Sequence, residues 1–316
     1  MPPRRLTTVL AGVTALMGMA TVMLATRARL RHRSSPKRKR TEPTLMRLVR
    51  GDDESGKKLT GLPWAMIDLL ITKLGRHLEP RAGLTAADQI CAFLIWLRHY
   101  PRLSLLSAQS GNPGEATMWR VVNDVLAVFV PHLSGALRLP PINELRGQLE
   151  WRHSVIGVLD GTPLSIRRPL QDQARFYRGD KARHFITMLL LCDVQGRILW
   201  VGVGYPGHNN DQANYSNSSL RPFVRAAGVE LLTDGGFFGN ELIRPLVRPS
   251  DALQEAFNTI IQDNRAVVEH VNVDVKEFEI LSGRFRGSRI LLTNAALAVC
   301  ILHNILQAWK NDNNDT

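Results

Sequence analysis

Three acidic residues stand where packing alone would not put an acid. In SVIGVLDGT, residues 154–162, an apolar run leads into Asp160 and then a glycine. In VELLTDGGF, residues 229–237, a second run leads into Asp234, again followed by glycine. Glu269 lies 35 residues beyond Asp234, at the edge of a stripe of Val268, Val271, Val275 and Phe278 whose steps of 3, 4 and 3 are helical. Each acid alone has an ordinary reading: an Asp before Gly is a turn residue, a Glu on a helix is solvated, and Arg265, four residues before Glu269, is a helical ion-pair partner for it. Together they pose a problem. An ionised carboxylate at the end of a buried strand needs something positive to meet it. Three converging acids repel unless they are protonated or bridged by a cation. Oxygen-only ligands suit Mg²⁺ or Mn²⁺, and two such ions about 4 Å apart can clamp the attacking and leaving oxygens of an in-line phosphoryl transfer.

The elements that would position these acids follow from the periodicity. Strands are expected at residues 154–162, 184–194, 197–207 and 229–237, with Gln195 and Gly196 turning the second into the third as a hairpin. Each glycine after an aspartate would let the backbone turn away and leave the carboxylate at the strand's rim, where ligands of α/β sheets collect. Helical spacing returns from about Leu253 to Leu281, and an apolar helix, NAALAVCILHNILQAW, closes the chain. Residues 60–140 read as helical: Ile67, Leu70, Ile71 and Leu74 repeat at helical spacing, Thr85 caps a helix that Pro101 ends, and Glu115–Leu133 follows an NPG turn. Helix, short helix, turn, helix is the outline of a helix-turn-helix, and of a small helical bundle equally. Arg120 stands almost alone as a base on the candidate recognition helix.

The charge is uneven. Of a net +12, residues 1–50 hold twelve Lys/Arg against Glu42, whereas the remaining 266 residues carry 28 bases and 27 acids. The body must therefore meet a polyanion through local patches or metal ions, not through its net field. Leu6–Thr26 contains no charge over 21 residues and is flanked by arginines, which fits a membrane anchor, an organelle-targeting or extraneous extension, or a signal peptide. The run PKRKR, Pro36–Arg40, reads either as a nuclear localisation signal or as the basic flank of that helix. Residues 41–59 read as a linker. Cys91, Cys192 and Cys300 lie far apart with no zinc-ligand spacing, so free thiols in a reducing compartment are expected. A P-loop, a nucleophile elbow and an HExxH motif are all missing from the sequence, which argues against P-loop NTPases, serine hydrolases and zincins.

Residues 155–306 resemble the catalytic domain of the PIF/Harbinger transposase superfamily and its domesticated nuclease relatives. The likeness is carried in order by LDGT (159–162), YRGDK (177–181), GYPGHNND (204–211), LLTDGGF (231–237), NRAVVEHVNVDVKEFEIL (264–281) and CILHNIL (300–306). It implies an RNase H-like α/β fold, a mixed sheet flanked by helices, behind a small helix-turn-helix-like domain. The expected organisation is a tail and linker over 1–59, a helical domain over 60–145 and a nuclease domain over 150–310. The resemblance makes Asp160, Asp234 and Glu269 a catalytic, metal-binding triad, with Asp160 bridging two ions and Asp211 an accessory ligand. It implies DNA as substrate, a nuclear location and a separate Myb/SANT-type DNA-binding partner. Phe237 stands where the family has tyrosine, Thr233 where it has glycine, and Asn210 where it has histidine. Arg178, Lys181 and Arg183, with Arg175 nearby, and the basic loop bearing Arg284, Arg286 and Arg289 are candidate contacts to DNA phosphates. His208, Asn209 and Asn210 read as a polar turn and His303 as a packing residue. Two alternatives stand beside the metal-dependent nuclease: a domesticated protein that binds DNA without cutting it, and a membrane-tethered protein held by residues 6–26.

Overall fold

The computed structural model describes residues 44–314, apart from residue 52. The hydrophobic segment 6–26 and the PKRKR run lie outside the described residues. The chain divides into two compact units. One comprises Gly135–Glu277 and Leu281–Gln307, and the other holds the described residues up to Ser134 with Phe278–Ile280 and the end of the last helix.

The second unit is helical throughout: α1 Thr44–Arg50, α2 Asp53–Thr60, α3 Trp64–Leu74, α4 Ala86–His99, α5 Leu103–Gln109 and α6 Glu115–Leu133. Residues 41–59 read as a linker, yet most of the described residues among them lie in α1 and α2. The acids Asp53 and Glu54 occupy the first turn of α2 and Lys57 and Lys58 its last, so charges that suggest a solvated spacer instead complement a helix dipole. Gly56 permits a close crossing, since a Cβ there would lie 2.6 Å from the Val49 carbonyl oxygen. Thr85 caps α4 as the sequence suggests, through a reciprocal capping box with Asp88. Tyr100 ends that helix in a left-handed conformation just before Pro101.

The first unit is built on a mixed sheet. After the short α7 (Ile142–Leu145) come β1 Val155–Ser165, α8 Gln173–Phe176, β2 Tyr177–Arg178, β3 Arg183–Cys192 and β4 Ile198–Pro206. Then follow α9 Asp211–Ser216, α10 Leu220–Ala227, β5 Glu230–Leu232, β6 Leu242–Ile243, α11 Ala252–Lys276, α12 Glu279–Ser282 and α13 Arg289–Asn314. Strands β4, β3 and β1 run antiparallel, and β1, β5 and β6 run parallel, while β2 pairs with the first residues of β3. This is an RNase H-like arrangement. One face is covered by α9 and α10, where Leu159, Leu189, Leu191, Tyr215, Val224 and Phe237 form a buried cluster. Against the other lies α11, through the buried stripe Val268, Val271 and Val275 that the sequence places there.

The β3–β4 hairpin forms at the expected turn, where Gly196 takes a φ of +82° that other residues resist. Asp193 ties the turn by accepting from the amides of Gln195 and Arg197 at 3.0 and 2.9 Å. Helix α13 secures it from outside the sheet. His303 Nε2 meets the Gly196 carbonyl at 2.9 Å, and Asn304 both donates to and accepts from the backbone of Ile198. The packing role expected for His303 is what the structure shows. α13 is long and apolar enough to cross a membrane, but its apolar window is mostly buried in the protein, as a core helix is. All three cysteines are free and buried, and burial pushes the Cys91 and Cys300 thiols up to about 12.

Candidate metal and nuclease site

Asp160 is not at the end of its strand. β1 runs on to Ser165, and Asp160 pairs with Leu190 of β3 in unbroken register. Gly161 therefore does not turn the chain away, as its position suggested. It makes room: a Cβ at Gly161 would lie 2.3 Å from Asp211 Oδ1. The first residue of α9 thus sets its carboxylate against the strand, next to Asp160 in sequence. Pro163 is tolerated within β1 because the parallel neighbour β5 pairs only as far as Val158, leaving the later residues one open edge.

The expected strand 229–237 is shorter than its apolar run, and β5 stops at Leu232. Asp234 follows in the loop, its Oδ1 accepting from the Gly236 amide at 2.9 Å. Val158 pairs with Leu232, so Asp160 and Asp234 each lie two residues beyond the last paired position of adjacent parallel strands. Gln212, beside Asp211, accepts at 2.6 Å from the Phe238 amide and so ties the start of α9 to the loop after Asp234. The sheet register and this tie bring Asp160, Asp211 and Asp234 within electrostatic reach of one another. Burial first, then Asp211 and Asp234, push the Asp160 carboxyl up to about 6. Asp211 is raised by burial and by Asp234, with Arg178 and Lys181 acting against the rise.

Glu269 lies on α11 and is exposed. It shares a helical face with Arg265, Asn272 and Lys276, at steps of 4, 3 and 4. Those three neighbours, and not Glu269, act on Asp160. Asn272 Nδ2 donates to Asp160 Oδ2 at 2.7 Å. Arg265 favours the charged form of Asp160, and Lys276, half-buried, has its own pKa lowered by burial with Asp160 opposing. Among the described residues no group of three or more His, Cys, Asp or Glu is close enough, as placed, to hold a metal ion. The donor chemistry nevertheless fits a hard divalent cation: Asp211 and Asp234 both disfavour the charge on Asp160, and the ligands are oxygens only.

The candidate phosphate contacts gather near one end of the sheet. Arg178 on β2 pairs with Arg183 at the start of β3, and Arg178 also bonds Asp180 at 3.0 Å. Lys181 lies over the Phe185 ring at 5.8 Å. The loop bearing Arg284 and Arg286 is stitched to the end of β1, since Phe285 N–H donates to Ser165 O at 2.9 Å and Arg167 N–H to Phe285 O at 2.8 Å. Both arginines are exposed there. Arg289 lies over the Phe176 ring at 4.3 Å. His208 to Asn210 form the polar turn expected of them, His208 Nδ1 meeting the Arg175 carbonyl and Asn210 capping α9.

Residues 159–304, nearly all within the sheet unit, match the family model described as DDE superfamily endonuclease. The chain is 28% identical over 277 residues to the human protein named "Putative nuclease HARBI1", covering 80% of this chain and 77% of that one. The mouse protein of the same name is 27% identical over the same shares. The "Probable transposase for insertion sequence element IS702" of Microchaete diplosiphon is 25% identical over 234 residues, 70% of this chain and 82% of that protein. No solved structure matches this chain.

Proposed function

We propose that this protein is a metal-dependent DNA nuclease of transposase type, with Asp160 and Asp234 as the central ligands of Mg²⁺ or Mn²⁺ and Asp211 and Glu269 completing the set. The observation that carries the reading is the convergence of three acids: the β1–β5 register sets Asp160 and Asp234 at one level, and Asp211 lies against Gly161. A site that disfavours the charge on Asp160 and Asp211 is relieved by a cation. When bound, a pair of divalent ions supplies Lewis-acid stabilisation of a phosphodiester's oxygens and an activated water. The chain's own part is positional. The register of β1 and β5 sets two acids at one level, α9 brings the third over Gly161, and α11 presents Glu269 with Arg265 and Lys276 on the same face. Arg178, Lys181, Arg183, Arg284 and Arg286 would take backbone phosphates and orient the strand without reading its sequence.

The direct test is nicking of a supercoiled plasmid by the purified full chain with Mg²⁺ or Mn²⁺, beside Asp160→Asn. The variant is expected to lose nicking by about a thousandfold or more while staying folded. Equal cleavage by variant and parent would end the assignment. A second reading, binding without cutting, is favoured by one observation: no group of three ligands stands within reach of one ion among the described residues. Steeply salt-dependent DNA binding with no nicking in either metal would select it.

A further inference from the structure

Asp160 is met by a residue that the acidic pattern does not single out. Asn272 reaches it across 112 positions of the chain, Nδ2 donating to Oδ2 at 2.7 Å, and the Gly161 backbone adds a further hydrogen bond to the same carboxylate. The other end of the Asn272 amide, Oδ1, is buried and has no hydrogen-bond partner. Asparagine is a poor helix former, and a buried unpaired acceptor adds a further cost. An apolar side chain in the same place on α11 would avoid both. The amide is therefore locally unfavourable, and its one partner is the carboxylate at the centre of the candidate site. Its surroundings have the same emphasis: Arg265 precedes it by seven residues and Lys276 follows by four, and both act on Asp160.

We infer that Asn272 is a positioning residue. Its N–H holds Asp160 Oδ2 so that the remaining oxygen is the one presented to a metal, and its Oδ1 is the acceptor for a water in the site, supplying one of the two to four polar partners that a buried water takes. Such outer partners fix the orientation of metal ligands and sustain affinity. The inference rests on the reading of Asp160 as a metal ligand.

Calorimetric titration of the full chain with Mn²⁺, comparing the parent with Asn272→Leu, measures it. Loss of the amide is expected to weaken Mn²⁺ binding about 10- to 100-fold and to lower kcat for nicking while leaving KM for DNA unchanged. A second measurement needs no metal. In EDTA, the unfolding free energies of Asp160→Ala, Asn272→Leu and the double variant should be non-additive, because the two residues share one bond. An Asn272→Leu protein that binds Mn²⁺ as tightly as the parent overturns the positioning role and leaves the metal-site reading standing. Additive effects in EDTA overturn the bond itself. A parent that neither binds Mn²⁺ nor nicks overturns the metal-site reading, and this role with it.

Discussion

The sheet and helix α11 both carry acids that the sequence marks out, yet the two regions treat them differently. On β1, Asp160 is half-buried, bonded by Asn272, and raised to about 6. On α11, Glu269 is exposed beside cations that serve Asp160 instead. Strand positions are fixed by register, so an acid two residues past a paired position is pinned in depth and direction. A helical residue is fixed only by the rotation of its helix, and the same apolar stripe allows Glu269 to stand at its edge. The sheet acids are therefore built into the fold, whereas the helix acid costs the fold little.

The sharpest way to break this comparison is to measure activity and stability together. Both Asp160→Asn and Glu269→Gln should reduce Mg²⁺-dependent nicking by about a thousandfold, but Glu269→Gln should leave the metal-free unfolding free energy within about 0.5 kcal/mol. Normal nicking by Glu269→Gln would remove Glu269 from the site.

The acid on β1 predicts a pH dependence of definite sign. The folded protein holds the Asp160 proton more tightly than the unfolded chain, whose value is 3.8. Below that pH both forms are protonated and the group contributes nothing. As pH rises from about 4 through about 6 the unfolded chain ionises first, so stability falls, by roughly 3 kcal/mol at neutrality. In EDTA, Asp160→Asn should therefore gain on the parent by that order between pH 4 and pH 7, read by urea unfolding, and saturating Mg²⁺ should close the gap from the parent's side. A difference that does not change with pH would mean that Asp160 is neither desolvated nor crowded by the other acids.

Smaller effects separate packing from chemistry. Gly161→Ala must displace the Asp211 carboxylate or the strand and should cost about 2 kcal/mol, with nicking reduced; an unchanged melting temperature would show that Asp211 moves aside freely. In the helical unit, Thr85→Ala removes the capping box and should cost about 1 kcal/mol without touching nicking per folded molecule.

Much of this was legible in the residues. The hairpin, the long helices, the Thr85 cap and the strand that carries Asp160 follow from apolar period and turn chemistry, because those signals are local. What escaped was set by partners distant in sequence. Gly-Thr-Pro after Asp160 reads as a break, but pairing with β3 carries β1 through it. The acids and lysines of α2 read as a spacer until their places in the first and last turns are known. Leu231 and Leu232 promised a longer strand than its short partner β6 can pair. Asn272 could have been noticed at three residues from Glu269 and four from Lys276, but only contact with Asp160 distinguishes it from any polar residue on a half-buried helix.

The grip of Asn304 on Ile198 has a wider implication. Its amide offers the first residue of β4 one donor and one acceptor, the pair of bonds an adjoining strand would make. β4 borders the sheet, and an unoccupied border invites a foreign strand. By satisfying that residue with a side chain from α13, the protein leaves an incoming strand neither the donor nor the acceptor of Ile198 to pair with.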